Sequence, residues 1–581
     1  MNLQKFLLKK IHRALLSITN ESFLDLIQVQ QSTKRKFGNY QINGLITISK
    51  KLNLPVEEFS KKLIKFINLN DIAHTIKIEK PGFINIFLNP TWISNQIDNI
   101  FYLSHLGVTP ATPKTIIIDY SGPNVAKEMH VGHLRSTVIG DSIARILSFL
   151  GHNVVRINHI GDWGTQFGML IAYIENNTQH GFLLNENVQL STLEHFYRKA
   201  KKKYDIDPNF AELSRNYVLK LQKGDKHYLQ IWKRLVDISI SNNQSIYTRL
   251  NIALKESNIM GESFYNDMLP NIVLDLKNKG LAIISNGATV VLLEKYRNKH
   301  GTPFGVIVQK KDGAYLYSTT DIACIKYRCQ VLHADRIIYY TDSRQKQHLI
   351  QAWEIADKAG YIEKSVLLEH HMCGMLLGKD NRPFQTRSGN ALKLKKLLDE
   401  AWERARCLIL SKNPNLRYTE INKLAHVMSI GAIKYSELSK NRTTDYIFDW
   451  NSMLNFEGNT APYIQYAYTR IFSVFKRFTN PNFQLKNNNI QLETEEEILL
   501  AICLLQFEET IVAVSKQGAP HMLCSYLYKL SVLFSSFYEN CPIITAHNTS
   551  TKYSRLKLAL ITARILKTGL NLLGIKTIRY M

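Results

Sequence analysis

Apolar positions first recur along this chain at helical spacing. Leu3, Phe6, Leu7, Ile11, Leu15 and Ile18 share one face, which predicts an amphipathic first helix running on into globular sequence. "GFINIFL" (82–88) then switches to an extended pattern, and "SHLGVTPATPK" supplies the Pro, Thr and Gly of a boundary. Residues 1–108 therefore read as a small α+β domain. A buried strand follows at "TIIIDYS". Beyond it "NVVRINHIG", "GATVVLL", "FGVIVQK" and "ADRIIYYT" read as strands interleaved with helices. That alternation predicts an α/β domain over 109–390, with a Rossmann-like parallel sheet covered on both faces. Residues from about 180 to 260 are polar, lysine-rich and helical, and read as an insertion in that domain. From about 395 onward helical periodicity dominates, as in "NALKLKKLLDEAWERARCLIL". It predicts a helical connection over 391–450 and an all-α bundle over 451–581, broken once by the loop 478–497.

Composition narrows the class of protein. At 581 residues the chain exceeds a single ordinary core, so roughly three or four domains are expected. Lysine and arginine number 73 against 48 acids, a net charge of +25. A polyanion such as nucleic acid suits that field, although the abundance of Lys, Asn and Ile throughout also fits compositional drift. The seven cysteines show no CxxC or zinc-type spacing and are odd in number, which argues against a disulfide framework and a structural zinc. A reducing cytoplasm is the expected location. "ILLAICLLQF" is too short to span a bilayer, so no membrane association is expected. The basic amino terminus reads as a first helix rather than a transit peptide.

The chemistry concentrates in "SGPNVAKEMHVGHLRST" (121–137). The strand before it ends at Ser121, Gly122-Pro123-Asn124 turn the chain, and a helix is expected from near His130 to Leu150. Two histidines thus stand at a helix start on the carboxyl edge of a parallel strand, where open α/β sheets bind ligands. Free N–H groups and the positive dipole end suit phosphate there, and Gly132 leaves room for it. His130 and His133 can donate hydrogen bonds to phosphate oxygens, and Lys127 adds a full charge. Capping histidines or a metal site would also account for an isolated HxxH, but no acidic or cysteine partner has metal spacing.

"HVGH" resembles the HIGH signature of class I aminoacyl-tRNA synthetases. With "NHIGDWGTQFG" (158–168), the longer string resembles the arginyl-tRNA synthetases in particular. "FGNYQING" (37–44), "LYSTTDIA" (316–323), "YYTDSRQKQHL" (339–349), "NRTTDYIFDW" (441–450), "FEGNTAPYIQYAYTR" (456–470) and the closing "TGLNLLGIKTIRYM" extend the likeness over the whole length, in family order. The resemblance implies two steps. The arginine carboxylate attacks the α-phosphate of ATP, giving arginyl-adenylate and pyrophosphate; the 3′-terminal adenosine of tRNA-Arg then takes the arginyl group. It also implies that tRNA must be bound before activation, that Mg²⁺ accompanies ATP, and that the enzyme is a monomer without an obligate protein partner. His130 and His133 fall on the signature histidines at the ATP phosphates. Asp119, Asn124, Tyr317, Asp321 and Gln345 match positions that hold the amino acid, with Asp119 offering a carboxylate to the guanidinium.

One signature departs from the class pattern. The loop corresponding to KMSKS, within "LLGKDNRPFQTRSGN", has Arg382 for the first lysine and Gln385 for the second. The resemblance implies that a lysine just before the histidine motif compensates, and Lys127 occupies that place, with Lys379 or Arg387 assisting. The flanking regions acquire tRNA roles by the same likeness. Phe37, Tyr40 and Gln41 are candidate contacts in the amino-terminal domain. Tyr463, Tyr466, Tyr526 and Met581 match anticodon-loop positions in the carboxyl bundle, where aromatics stack on splayed bases. Two alternatives compete. A nucleotidyltransferase of the HxGH superfamily lacks the whole-length match and the set Asp119, Tyr317, Asp321. A silent RNA-binding paralogue would be expected to shed the phosphate-handling residues, which are present.

Overall fold

In the computed structural model the described residues are 2–32, 34–177, 188–297, 301, 303–378, 382, 392–478 and 489–579. They form two compact units. One contains residues 1–110, 455–571 and 576–581, and the other residues 111–454 and 572–575.

The first unit joins the amino-terminal sheet to the carboxyl helices. Strands β1 (Gln28–Gln31), β2 (Tyr40–Asn43), β3 (Ala73–Glu79) and β4 (Phe83–Leu88) form an antiparallel sheet in the order β1-β2-β4-β3. Helices Leu3–Leu16, Val56–Phe66 and Pro90–Tyr102 accompany it, and the expected apolar stripe of the first supplies buried Leu3, Leu7, Ile11 and Leu15. The buried Lys557 meets Asp98 at 2.5 Å, and Asp98 also accepts the Ile490 N–H at 2.9 Å. The described carboxyl part is helical over Ala461–Arg477, Glu495–Leu505, Phe507–Gln517, His521–Asn540 and Thr549–Leu572. Among the described residues one stretch, Glu495–Gln517, is long and apolar enough to cross a membrane; 72% of its most apolar window is buried inside the protein.

The second unit is built on a parallel sheet in the order β11-β10-β5-β6: Leu367–His370, Arg336–Tyr340, Thr115–Tyr120 and Asn153–Ile157. The two central strands, β10 and β5, are Ile-rich and buried as a two-sided sheet requires, while the edge strands β11 and β6 are only partly buried. The helix Leu134–Phe149 follows β5 and packs closely on it. A Cβ on Gly140 would stand 2.4 Å from the Tyr120 side chain, so glycine sets that spacing. Two expected strands go elsewhere. β8 (Ala288–Arg297) and β9 (Pro303–Gln309), with β7 (Ala282–Ser285), form a separate antiparallel sheet rather than extending the parallel one. The short turns joining them permit only antiparallel neighbours. The insertion is helical as expected: Leu190–Ile206, Pro208–Gln222 and Lys226–Arg249. Its apolar faces share one core with Val125, Ala126, Ile160 and Phe167, next to the histidine motif.

Candidate active site

The turn after β5 is held by a buried polar network. Ser121 sits at φ +78° and Gly122 at +53°. The Gly122 N–H donates to Asn158 Oδ1 at 3.1 Å, and Asn158 Nδ2 donates to the Tyr247 hydroxyl at 3.2 Å. Tyr247 and Thr137 meet the Ser121 hydroxyl at 2.7 and 2.9 Å. The asparagine of "NHIGDWG" therefore serves the turn before the histidines, which explains why the two motifs occur together.

A 3₁₀ turn, Val131–His133, opens the signature helix. His130 Nδ1 accepts the Gly132 N–H at 3.1 Å, and His133 Nδ1 accepts the His130 N–H at 3.2 Å. A ring nitrogen that accepts carries no proton, so each neutral imidazole bears its proton on Nε2 and keeps it for a ligand. Burial and the neighbouring His130 drive the His133 pKa down to about 3. His130 is lowered by burial, then by Lys127, with Arg344 acting the same way and Glu194 opposing. Both rings are therefore neutral donors at physiological pH. A Cβ on Gly132 would lie 2.8 Å from His130 Cε1, so any larger residue would push that ring aside.

The rest of the phosphate side is anchored from afar. Arg135, 3% exposed, donates to the carbonyls of Thr444 at 2.7 Å and Asn441 at 3.0 Å, tying the signature helix to "NRTTDY". That segment also flanks the approach to the KMSKS-like loop, because β12 (Leu376–Leu377) pairs in parallel with β13 (Tyr446–Ile447). The Gly378 N–H donates to the Arg382 carbonyl at 2.8 Å. Downstream, the Val131 N–H donates to the Leu392 carbonyl at 3.0 Å and the Leu394 N–H to the Met129 carbonyl at 2.9 Å. Both ends of the eroded loop are thus fixed, the second on the histidine motif itself. Lys379, Gln385 and Arg387 lie outside the described residues.

A cleft of about 620 Å³ opens at the same edge of the sheet, lined among others by Asn124, Gly161, Trp163, Glu262, Lys310 and Tyr317. Helix Tyr317–Gln330 begins here because Ser318 and Thr319 donate to the β9 carbonyls of Ile307 and Val308. This presents Tyr317, 62% exposed, and Asp321, one turn on, which pairs with His348. Gln345 is exposed at the start of the helix that carries His348. Glu262 was not anticipated from sequence. Its N–H donates to the Ile160 carbonyl at 3.1 Å, alongside "NHIGDWG". Its carboxyl is pushed up to about 8 by burial and by the charges of Asp321 and Asp162. No motif marks Glu262; only the fold brings it there.

Three expected site residues are engaged with partners inside the protein. Asp119 does not face the cleft: 5% exposed, it is ion-paired at 2.6 Å with Arg328, itself wholly buried. Its carboxylate is committed to tying β5 to the Tyr317 helix. Tyr40 is wholly buried and donates to Glu509 at 3.1 Å within its unit, a latch in the core. Tyr526, 6% exposed, donates to the Cys503 carbonyl at 3.0 Å and is likewise core. Gln41 is partly buried and donates to Asn85 at 2.9 Å, while Phe37 is partly exposed. Tyr466 is 44% exposed with Arg470 over its ring, and Tyr463 lies 5.5 Å from Tyr528. Met581 lies outside the described residues.

A parallel sheet with an HxGH turn opening the helix after its β5 strand, and a cleft at the same edge, is the arrangement expected of a class I aminoacyl-tRNA synthetase. The family model for the class I (R) tRNA synthetase catalytic domain matches residues 96–450, with the arginyl-tRNA synthetase N-terminal domain at 3–88 and the DALR anticodon binding domain at 464–581. The chain is 86% identical to the arginine–tRNA ligase of Blochmanniella pennsylvanica and 57% identical to that of Sodalis glossinidius, covering the whole of each. The crystal structure of arginyl-tRNA synthetase from Plasmodium falciparum superposes with a TM-score of 0.83 at 32% identity, over 100% of this chain and 98% of that one. The chain belongs to the arginyl-tRNA synthetase family. It is an arginine–tRNA ligase that uses ATP to join arginine to tRNA, with a helical anticodon-binding domain at its carboxyl end.

Proposed function

We propose the following division of labour for that reaction. The ATP triphosphate lies over the signature turn, with the Nε2–H donors of His130 and His133 and the Lys127 ammonium meeting its oxygens. Gly132 clears the approach, and Arg382 with Lys379 and Gln385 borders the other side. These groups lower the barrier by stabilising charge that builds as the arginine carboxylate displaces pyrophosphate; none of them forms a covalent bond. Arginine occupies the cleft, its guanidinium between Asp321 and Glu262 beside Tyr317, with Asn124 and Gln345 toward the reacting end. The observation that carries this reading is the cleft that Glu262 lines together with Asn124 and Tyr317, where the buried Glu262 carboxyl lies within reach of the charge of Asp321.

Mg²⁺ enters with ATP, as the charge on the triphosphate requires. Activation takes place with tRNA-Arg bound, its anticodon loop meeting Tyr466, Tyr463 and Met581 and its outer corner meeting Gln41 and Phe37. The protein works as a cytoplasmic monomer. The test is ATP–pyrophosphate exchange across the twenty amino acids, with and without tRNA-Arg. Exchange with arginine alone, and only when tRNA is present, is expected. Equal exchange without tRNA overturns the tRNA requirement, and exchange with lysine at a rate like that with arginine overturns the guanidinium assignment.

A further inference from the structure

Lys127 reaches the histidine signature from a flexible four-carbon stem, and something must hold its ammonium there. The first helix of the insertion, Leu190–Ile206, supplies a candidate: the Lys127 Nζ lies 4.4 Å from the ring centroid of Tyr197. The same helix grips the other side of the signature. Glu194, one turn earlier on that face, pairs at 3.2 Å with Lys393. Lys393 also pairs with Glu128, and its backbone bridges that of His130. The helix cannot rotate away, because Leu190, Leu193 and Ala200 are buried in the core that holds Val125 and Ala126, against which Tyr197 itself packs. One element of the insertion therefore touches both lysines that flank the histidines.

We propose that Tyr197 is a positioning residue for adenylate formation, its ring face holding the Lys127 ammonium at the signature before ATP arrives. A lysine left free would lose rotamer freedom on meeting the phosphates. A cation held over an aromatic face has lost it already, and gives up little on turning to a stronger anionic partner. Tyr197 does not line the arginine cleft, so its effect belongs to the ATP side of the reaction. The inference rests on Lys127 acting at the phosphates, and its test separates the two claims.

Pyrophosphate exchange is measured with arginine and tRNA-Arg present for Tyr197→Leu, Tyr197→Phe, Lys127→Ala and the double variant Lys127→Ala/Tyr197→Leu. Tyr197→Leu is expected to lower kcat by about threefold to tenfold, the range of one cation–π contact, with arginine KM unchanged. Tyr197→Phe, which keeps the ring face, recovers most of that loss. In the Lys127→Ala background the leucine substitution adds nothing further, because the contact it removes is already gone. If phenylalanine is no better than leucine, or leucine costs as much without Lys127 as with it, the ring is packing only and the proposal fails. A wild-type rate for Lys127→Ala overturns the role of Lys127 itself, and the positioning role with it.

Discussion

The two ends proposed for the active site are electrostatic opposites. At the phosphate end, burial and nearby cations keep His130 and His133 neutral, the latter with its pKa near 3. At the arginine end, burial and nearby carboxylates lift Glu262 to about 8. Each end crowds like charge or its precursors around a space, and each becomes favourable when a ligand of opposite sign enters. The arrangement has different origins at the two ends. The phosphate end comes from seventeen consecutive residues and a helix start. The proposed arginine end is assembled from Asn124, Glu262, Tyr317 and Asp321, which only the fold brings together.

The largest expected effect is at the phosphate end. Lys127→Ala should cut pyrophosphate exchange on the order of a hundredfold or more, as removal of one electrostatic donor does, with arginine KM little changed. At the other end, Asp321→Asn should raise arginine KM by roughly a hundredfold, since truncating one partner of a desolvated charge pair costs about 2–5 kcal/mol. If either variant altered the wrong parameter, the two ends would not be independent. Asp119→Asn sharpens the contrast. It breaks a buried ion pair, a loss of about 3–5 kcal/mol, so a lowered unfolding midpoint is expected rather than a selective rise in arginine KM.

Glu262 supplies a pH test. Its raised pKa means that much of the residue is protonated near neutrality in the free enzyme, while a guanidinium beside it favours the carboxylate. Arginine KM should therefore fall as pH rises from roughly 6 toward 8, with a proton released on binding. Glu262→Gln should flatten that profile and raise KM at the high end. The stability sign is the reverse. The folded state binds the proton more tightly than the unfolded chain, so this group's contribution is present below its ordinary 4.5 and is lost as pH rises through about 8.

Much of this was legible in the residues. "TIIIDYSGPN" announced a buried strand and a turn, and the apolar stripe from Leu134 to Leu150 announced the helix, because both signals are local. What failed was pairing over distance. "FGVIVQK" is a strand, but nothing in it says that its partner is β8 rather than β5. Asp119 reads as an available carboxylate until Arg328, 209 residues on, is seen to hold it. Tyr40 looks like an available tRNA contact and Tyr526 like a stacking platform until their hydroxyls find Glu509 and the Cys503 carbonyl. Glu262 lacks a motif altogether, since its place depends on running beside Ile160.

The smallest effect is the most direct check on the neutral histidines. His133 has an ordinary pKa of 6.5 in the unfolded chain and about 3 in the folded protein. Between those values the unfolded chain binds a proton that the folded protein does not, so stability rises with pH across that window. Read downward, stability is lost as pH falls below 6.5, and below about 3 both states carry the proton and this loss is complete. His130, lowered for the same leading reason, adds to the same limb. His133→Asn removes the titrating ring while leaving an amide oxygen that can accept the His130 N–H. Urea midpoints of the intact enzyme at pH 7 and pH 5 should fall further for the wild type than for the variant. Equal falls would mean that His133 takes a proton readily in the folded state. The phosphate end would then hold a charged imidazolium and not a neutral donor, and the opposition between the two ends would need another account.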